Sequence, residues 1–196
     1  HEGYGPSRLT PALVQERRDR GAPPAPPIAV ISDSLDLDLD ARFFTEAAAR
    51  PIVVTTRESD AARRERIARV ADLIVLDAPL DMGAVCDALT ERGFRRAVLE
   101  GGPSAVGSFL AADRVDEFCV SVAPQLVGEG PGLVPPLPVP RGLALRTVLV
   151  EDGLLVLLLV VGVDVIRVIV IIVVVRIVVV RIVVVRIIVE VVVDVV

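Results

Sequence analysis

Short aliphatic runs alternate with amphipathic stretches over residues 28–123, and this alternation dominates the pattern of the chain. Ile28-Ala29-Val30-Ile31 reads as a short buried strand, and Pro51-Ile52-Val53-Val54-Thr55-Thr56, Leu73-Ile74-Val75-Leu76 and Ala97-Val98-Leu99 read as further strands. Asp60 to Val70 places Ala61, Ala62, Ile67, Ala68 and Val70 among Arg and Glu, a surface helix with Ser59 as the expected N-cap. Asp81 to Arg92 places Met82, Val85, Cys86 and Leu89 at core spacing, with Gly93 as its stop. Pro103 to Ala112 predicts a further helix, and Asp116 to Ala123 a long strand.

The flanks are less regular. Residues 1–27 read as irregular, with a helix end at Arg17–Gly21 and a stiff connector in Ala22-Pro23-Pro24-Ala25-Pro26-Pro27. Leu35-Asp36-Leu37-Asp38-Leu39-Asp40 alternates with period two, which fits an edge or loop-crossing strand with a solvated acidic face. A Gly/Pro-rich loop spans Gly128 to Pro140, and Leu143–Val150 with Leu154–Val160 predicts a terminal antiparallel hairpin. The expectation is a three-layer α/β domain with a largely parallel sheet and an antiparallel edge.

Residues 161–196 break the pattern. They hold 20 Val and 8 Ile, and Val173-Val174-Val175-Arg176-Ile177 recurs at 178–182 and 183–187. A five-residue period fits neither a 3.6-residue helix nor a period-two strand. The favoured reading sets 161–196 apart as a low-complexity tail outside a domain formed by residues 1–160. Strands appended to the sheet and an assembly or membrane segment are the alternatives. A spanning helix needs about 20 apolar residues. The uncharged stretch that leads into this tail, Gly153 to Val163, has eleven, and Arg167, Arg176, Arg181 and Arg186 interrupt the chain beyond it. No membrane span is expected.

Composition narrows the class of function. The chain is 53% apolar with a formal charge of −5, and all 21 of its basic residues are Arg. An acidic body with few aromatics is not a nucleic-acid binder. Cys86 and Cys119 make no disulfide framework, and with His1 as the single His there is no metal-ligand spacing. Both cysteines read as core residues. The chain opens His1-Glu2-Gly3-Tyr4, without Met or a leader pattern, so a start further upstream and a cytoplasmic location are expected.

Candidate chemistry concentrates at Leu99-Glu100-Gly101-Gly102-Pro103-Ser104-Ala105-Val106-Gly107-Ser108, where a strand gives way to a helix. Paired glycines let a ligand approach the backbone, and Pro suits the first helical turn. The N–H groups of Gly102, Ser104 and Ala105 would face an anion, aided by the helix dipole. A tight strand–helix turn without a ligand would use the same glycines. Glu100, at the strand's end, could accept hydrogen bonds from a polar ring or serve as a cap.

This segment, with Phe109-Leu110-Ala111-Ala112-Asp113-Arg114-Val115-Asp116-Glu117-Phe118 and Ala123-Pro124-Gln125-Leu126-Val127-Gly128, resembles the reductase domain of the bacterial riboflavin-biosynthesis deaminase–reductase family. Glu2-Gly3-Tyr4-Gly5-Pro6 and Ile28 to Leu35 are similar to its cofactor-side segments, so the likeness spans residues 2 to about 159. The resemblance implies a dihydrofolate-reductase-like fold. It also implies NADPH-dependent reduction of a pyrimidine ribose phosphate, 5-amino-6-(5-phosphoribosylamino)uracil, to its ribitylamino product, without flavin or metal.

By position it implies that Glu100 contacts substrate as the catalytic residue. Gly101, Gly102, Pro103, Ser104, Ala105, Val106, Gly107 and Ser108 would hold cofactor phosphates. Ser32, Asp33 and Ser34 would lie near the adenosine ribose or its 2′-phosphate, Glu2 near the cofactor and Arg8 near the substrate phosphate. A homodimer is the expected assembly. The family's first strand, S-L-D-G segment and G-x-G-T turn have no counterpart in this chain. The alternatives are therefore an inactive or non-catalytic nucleotide-binding fragment, and a dihydrofolate-type reductase acting on a pterin.

Overall fold

Nine strands form one sheet in a computed structural model that describes residues 9–124, 132–137, 140–151, 154–161, 167–173 and 191–195. In chain order the elements are α1 (Pro11–Asp19), β1 (Ile28–Ile31), α2 (Arg42–Thr45), β2 (Ile52–Thr56), α3 (Ala61–Ala68), β3 (Asp72–Leu76), α4 (Met82–Glu91), β4 (Arg96–Leu99) and α5 (Pro103–Ala111). They continue with β5 (Glu117–Val122), β6 (Ala144–Glu151), β7 (Leu154–Val160), β8 (Arg167–Val173) and β9 (Val191–Val195). The sheet order is β3-β2-β1-β9-β4-β8-β5-β7-β6. The pairs from β3 across to β5 are parallel, whereas β7 runs antiparallel to both β5 and β6. The expected hairpin is thus present at one edge.

Helices cover both faces. Val85, Cys86 and Leu89 of α4 and Val106, Phe109 and Leu110 of α5 bury against Ala29, Ile31, Val54 and Leu99. On the other face Ile67 of α3 packs with Val53, Leu35 and Ala71. Phe43 of α2 covers Ile28 and Val30 and meets Phe44 edge to face at 4.5 Å. The three-layer α/β expectation therefore describes the architecture.

Local chemistry explains the helix ends. The Asp81 carboxylate accepts the Ala84 N–H at 2.8 Å, and Gly93 at φ +91° closes α4 in the left-handed region. In α3 the cap is Asp60, not Ser59: its carboxylate accepts the Arg63 N–H at 2.7 Å. The Ser59 hydroxyl instead donates to the Thr56 carbonyl at 2.7 Å. Thr10 caps α1, a full helix in a region expected to be mostly irregular.

Two further expectations are revised. Leu35 to Asp40 forms no strand; Leu35 turns at φ +53° and its side chain buries in the Ile67 cluster. Leu37 and Leu39 pack beside it as a loop, so alternation records inward leucines rather than a ladder. Against the expectation of a separate tail, two pieces of 161–196 pair into the middle of the sheet. β9 lies between β1 and β4, and β8 between β4 and β5. Val and Ile suit interior strand positions because branched Cβ atoms fit a pleated, packed surface. Much of the expected Gly128–Pro140 loop lies outside the described residues.

The Cys86 thiol is buried, and burial pushes it up to about 12. An unfolded chain releases that proton near pH 8.5, whereas the folded state holds it. Stability is therefore full below that value and falls as pH rises toward 12. The urea midpoint, followed from neutral to alkaline pH, should decline, and Cys86→Ala should make the decline shallower.

Candidate functional site

The order in which the strands are laid down creates a crevice. From β1 the chain moves outward to β2 and β3 with α3 on one face, then returns through α4 on the other face to β4. Such a reversal of direction leaves a gap between two loops at the carboxyl ends of parallel strands, where ligands of open α/β sheets bind. The two loops here are the Ser32 turn after β1 and the Glu100–Gly102 turn after β4.

Register places both at the same end of the sheet. Ala29 and Leu99 both stand opposite Val193 of β9. β4 ends there, whereas β1 runs two residues further, to Ile31 opposite Val195. One strand, β9, lies between the two strands that carry the turns. The structure thus brings together the two segments that the sequence nominated separately.

At the β4–α5 turn, Gly102 is the N-cap with φ −71° and makes no side-chain cap hydrogen bond. Pro103 fills the first helical position, leaving the amides of Ser104 and Ala105 at an uncapped, electropositive helix end. A Cβ built on Gly102 meets nothing within 4 Å, so there is room for a ligand against this backbone. Gly101 is a glycine for another reason: an added Cβ would lie 2.5 Å from the Ala105 Cβ. Glu100 is exposed directly after the strand. Ala105, Val106 and Gly107 are buried, so from these three positions only backbone could serve a ligand. The Ser108 hydroxyl donates to the Ser104 carbonyl at 3.1 Å.

At the end of β1, Ser32 is buried; its N–H donates to Val54 O at 2.9 Å and its Oγ accepts the Leu35 N–H at 3.1 Å. Asp33 and Ser34 are exposed on the turn. Beside it, at the end of β2, Arg57 donates its N–H to Leu76 O at 2.9 Å and its guanidinium to exposed Asp77 at 2.6 Å. Arg57 escaped the sequence reading, as did Arg63 and Arg64 in the first turn of α3. Two arginines and no acid in an N-terminal turn run against the helix dipole, and that was the available signal.

Glu2 and Arg8 lie outside the described residues. Among the described residues no cluster of His, Cys, Asp or Glu could hold a metal ion, and no helix is long and apolar enough to cross a membrane. A cavity of about 590 Å³, lined in part by Pro27, Arg50, Asp72, Arg92 and Phe94, opens at the amino ends of the strands. It faces away from the crevice and takes no part in it.

Known proteins match much of the chain. A family model described as the RibD C-terminal domain matches residues 6–153. The 2,5-diamino-6-ribosylamino-4(3H)-pyrimidinone 5′-phosphate reductase of Archaeoglobus fulgidus is 26% identical over 117 residues, 59% of this chain and 53% of that protein. Riboflavin biosynthesis protein RibD of Aquifex aeolicus is 30% identical over 105 residues, 53% of this chain and 29% of that protein. The chain thus spans about half the length of the first relative and under a third of the second. The crystal structure of a pyrimidine reductase-like protein from Corynebacterium diphtheriae superposes with a TM-score of 0.72, covering 83% of this chain and 72% of that one. At 23% identity that likeness is one of fold, and the fold is dihydrofolate-reductase-like.

The two glycines of the turn should separate under substitution. Gly101→Ala forces a methyl against Ala105 and should cost about 1–3 kcal/mol, seen as a lower Tm. Gly102→Ala should change stability by no more than about 1 kcal/mol, since its φ suits any residue. A methyl at that position should nonetheless weaken binding of a phosphate-bearing ligand in a calorimetric titration.

Proposed function

The chain belongs to the RibD C-terminal domain family, and from that membership we propose that it reduces a pyrimidine ribose phosphate with NADPH. The substrate in this reading is 5-amino-6-(5-phosphoribosylamino)uracil and the product its ribitylamino form. The observation that carries the reading is the crevice itself. A backbone cradle at Gly102 and a hydroxyl-bearing turn at Ser32 follow the carboxyl ends of two parallel strands on either side of a topological reversal. A dinucleotide has the length to touch both.

A reduced nicotinamide nucleotide, when bound there, would supply the hydride for C1 of the opened, iminium form of the sugar, in which the bond from C1 to the ring oxygen has broken, that oxygen has become a hydroxyl, and the nitrogen carries a proton from solvent. The residues of this chain bind and orient. Gly101 and Gly102 keep side chains off the pyrophosphate, and the amides of Ser104 and Ala105 face its charge with the dipole of α5 behind them. Pro103 shapes that turn, while Ala105, Val106 and Gly107 fix α5 against the sheet and Ser108 closes its first turns. Asp33 and Ser34, held by Ser32, offer acceptors and a hydroxyl to the adenosine ribose. Glu100, exposed at the end of β4, accepts hydrogen bonds from the pyrimidine ring and holds it toward the nicotinamide side. Sequence likeness alone assigns Glu2 to the cofactor and Arg8 to the substrate phosphate.

The phosphorylated form of the cofactor is supported by Arg57. Its ion pair with Asp77 is exposed on both sides, and such pairs contribute about 0–1 kcal/mol, so a phosphate can take over the guanidinium at small cost. A cytoplasmic homodimer belongs to the same reading. Its support is the open edge strand β6, where Leu145, Val148, Leu149 and Val150 are exposed.

The chain, incubated with the pyrimidine phosphate, should oxidise NADPH, followed by loss of its absorbance; no oxidation under those conditions sinks the reading. Glu100→Gln should lower kcat about 100-fold while cofactor affinity stays within a few fold. Arg57→Ala should raise the KM for NADPH about 10- to 100-fold and leave that for NADH unchanged, erasing the preference between them.

A further inference from the structure

The first turn of α3 makes more contacts with the loops below it than a surface helix requires. Arg63 donates through Nη1 to the Ser34 carbonyl at 2.9 Å and faces Asp36 at 3.5 Å. Arg64 gathers the next loop. Its Nη1 reaches the carbonyls of Thr56 at 3.4 Å, of Arg57 at 2.7 Å and of Ser59, and the Ser59 hydroxyl at 3.1 Å. One helical turn thus ties down two loops, the turn after β1 and the segment after β2.

Neither arginine is there for the helix. Asp60 already caps it, and positive charge at a helix N-terminus opposes the dipole. The turn after β1 does need holding. Leu35 adopts φ +53°, a left-handed conformation that branched residues avoid. Such strain persists only where the surroundings over-determine it. The surroundings here are the burial of Leu35 against Ile67 of the same helix, the Ser32 Oγ bond to its N–H, and the Arg63 bond to Ser34. In the second loop the Arg57 carbonyl points at Arg64, so by peptide planarity the Glu58 N–H points the opposite way.

We propose that Arg63 and Arg64 are positioning residues, which hold the Ser32–Leu35 turn and the Thr56–Ser59 loop in the form that receives the adenosine end of the dinucleotide. The inference rests on the cofactor assignment above and deepens it. Neither arginine touches the cofactor; each acts through carbonyl groups of residues that do. Pre-set loops lower the ordering cost of binding, so their loosening appears as lost cofactor affinity and not as lost chemistry.

The test uses the full chain, with NADPH binding followed by fluorescence titration, KM for the pyrimidine phosphate by turnover, and folding by thermal melt. Arg64→Ala should raise the Kd for NADPH about tenfold while the KM for the pyrimidine phosphate stays within twofold. Arg64→Lys should recover most of that loss, because a single nitrogen makes all four contacts. Arg63→Ala should show a similar loss of three- to tenfold, and it carries the test alone if Arg64→Ala does not fold. Variants that bind NADPH as the parent does overturn the inference and leave the cofactor assignment standing. Equal losses for cofactor and pyrimidine, tracking a lower Tm and not rescued by Lys, overturn it as well, since that is the behaviour of a structural residue. A parent chain that binds no NADPH overturns the cofactor assignment itself, and the inference with it.

Discussion

Backbone pairing across the middle of the sheet is the constraint on which everything else depends. The inner edges of β1, β4 and β5 face one another across gaps and do not pair directly; β9 and β8 fill those gaps in parallel register. A buried strand edge with unpaired N–H and C=O groups is costly, so interior strands demand neighbours. The Val/Ile segments meet that demand with aliphatic residues at every position but Arg167 of β8 and Asp194 of β9. They thereby fix the spacing between the Ser32 turn and the Gly101–Gly102 turn, and with it the span of the crevice.

The same constraint explains the division of labour between the two ends of the sheet. Parallel strands all present their carboxyl ends on one side, so β1, β2 and β4 deliver Ser32, Arg57 and Glu100 to a common rim. At the opposite end Arg50 pairs with Asp72 at 2.7 Å and donates to the carbonyls of Ala68 and Ala71, closing the start of the strands. The rim, by contrast, carries an uncapped helix end and a strained turn. Helix-end amides that no side chain of the fold caps are the ones available to a ligand.

Much of the architecture was legible in local pattern. Ile52–Thr56 and Asp72–Leu76 announced themselves through their runs Ile52-Val53-Val54 and Leu73-Ile74-Val75-Leu76, and α4 by the spacing of Met82, Val85, Cys86 and Leu89 between Asp81 and Gly93. The Gly101-Gly102-Pro103 turn was legible because its chemistry is local: a close approach and a missing N–H at a helix start. Leu35 to Asp40 misled because alternation reports which side chains face inward, and a loop over a core can do that as well as a strand. α2 escaped because one helical turn is too short for a period to emerge; the Phe43–Phe44 contact defines it only after folding. Arg57 was hidden among many surface arginines and Arg63 and Arg64 showed only in their place against the dipole of α3; their carbonyl and carboxylate partners are what define all three.

The sequence by itself determined the alternation of strands and helices, the ends of α4 at Asp81 and Gly93, and the Gly101-Gly102-Pro103 turn at a helix start. These depend on interactions within a few residues, which composition and spacing encode directly. Tertiary structure alone decided that the turns after β1 and β4 share one end of the sheet, that Leu35 turns left-handed against Ile67, and that the Val/Ile strands β8 and β9 lie at the sheet's centre. Each of these rests on pairing between distant parts of the chain. β8 and β9 make the point sharply: a short run of near-identical aliphatic residues carries little information about its partner or register. The strands it joins, with edges that had to be paired, supplied the answer.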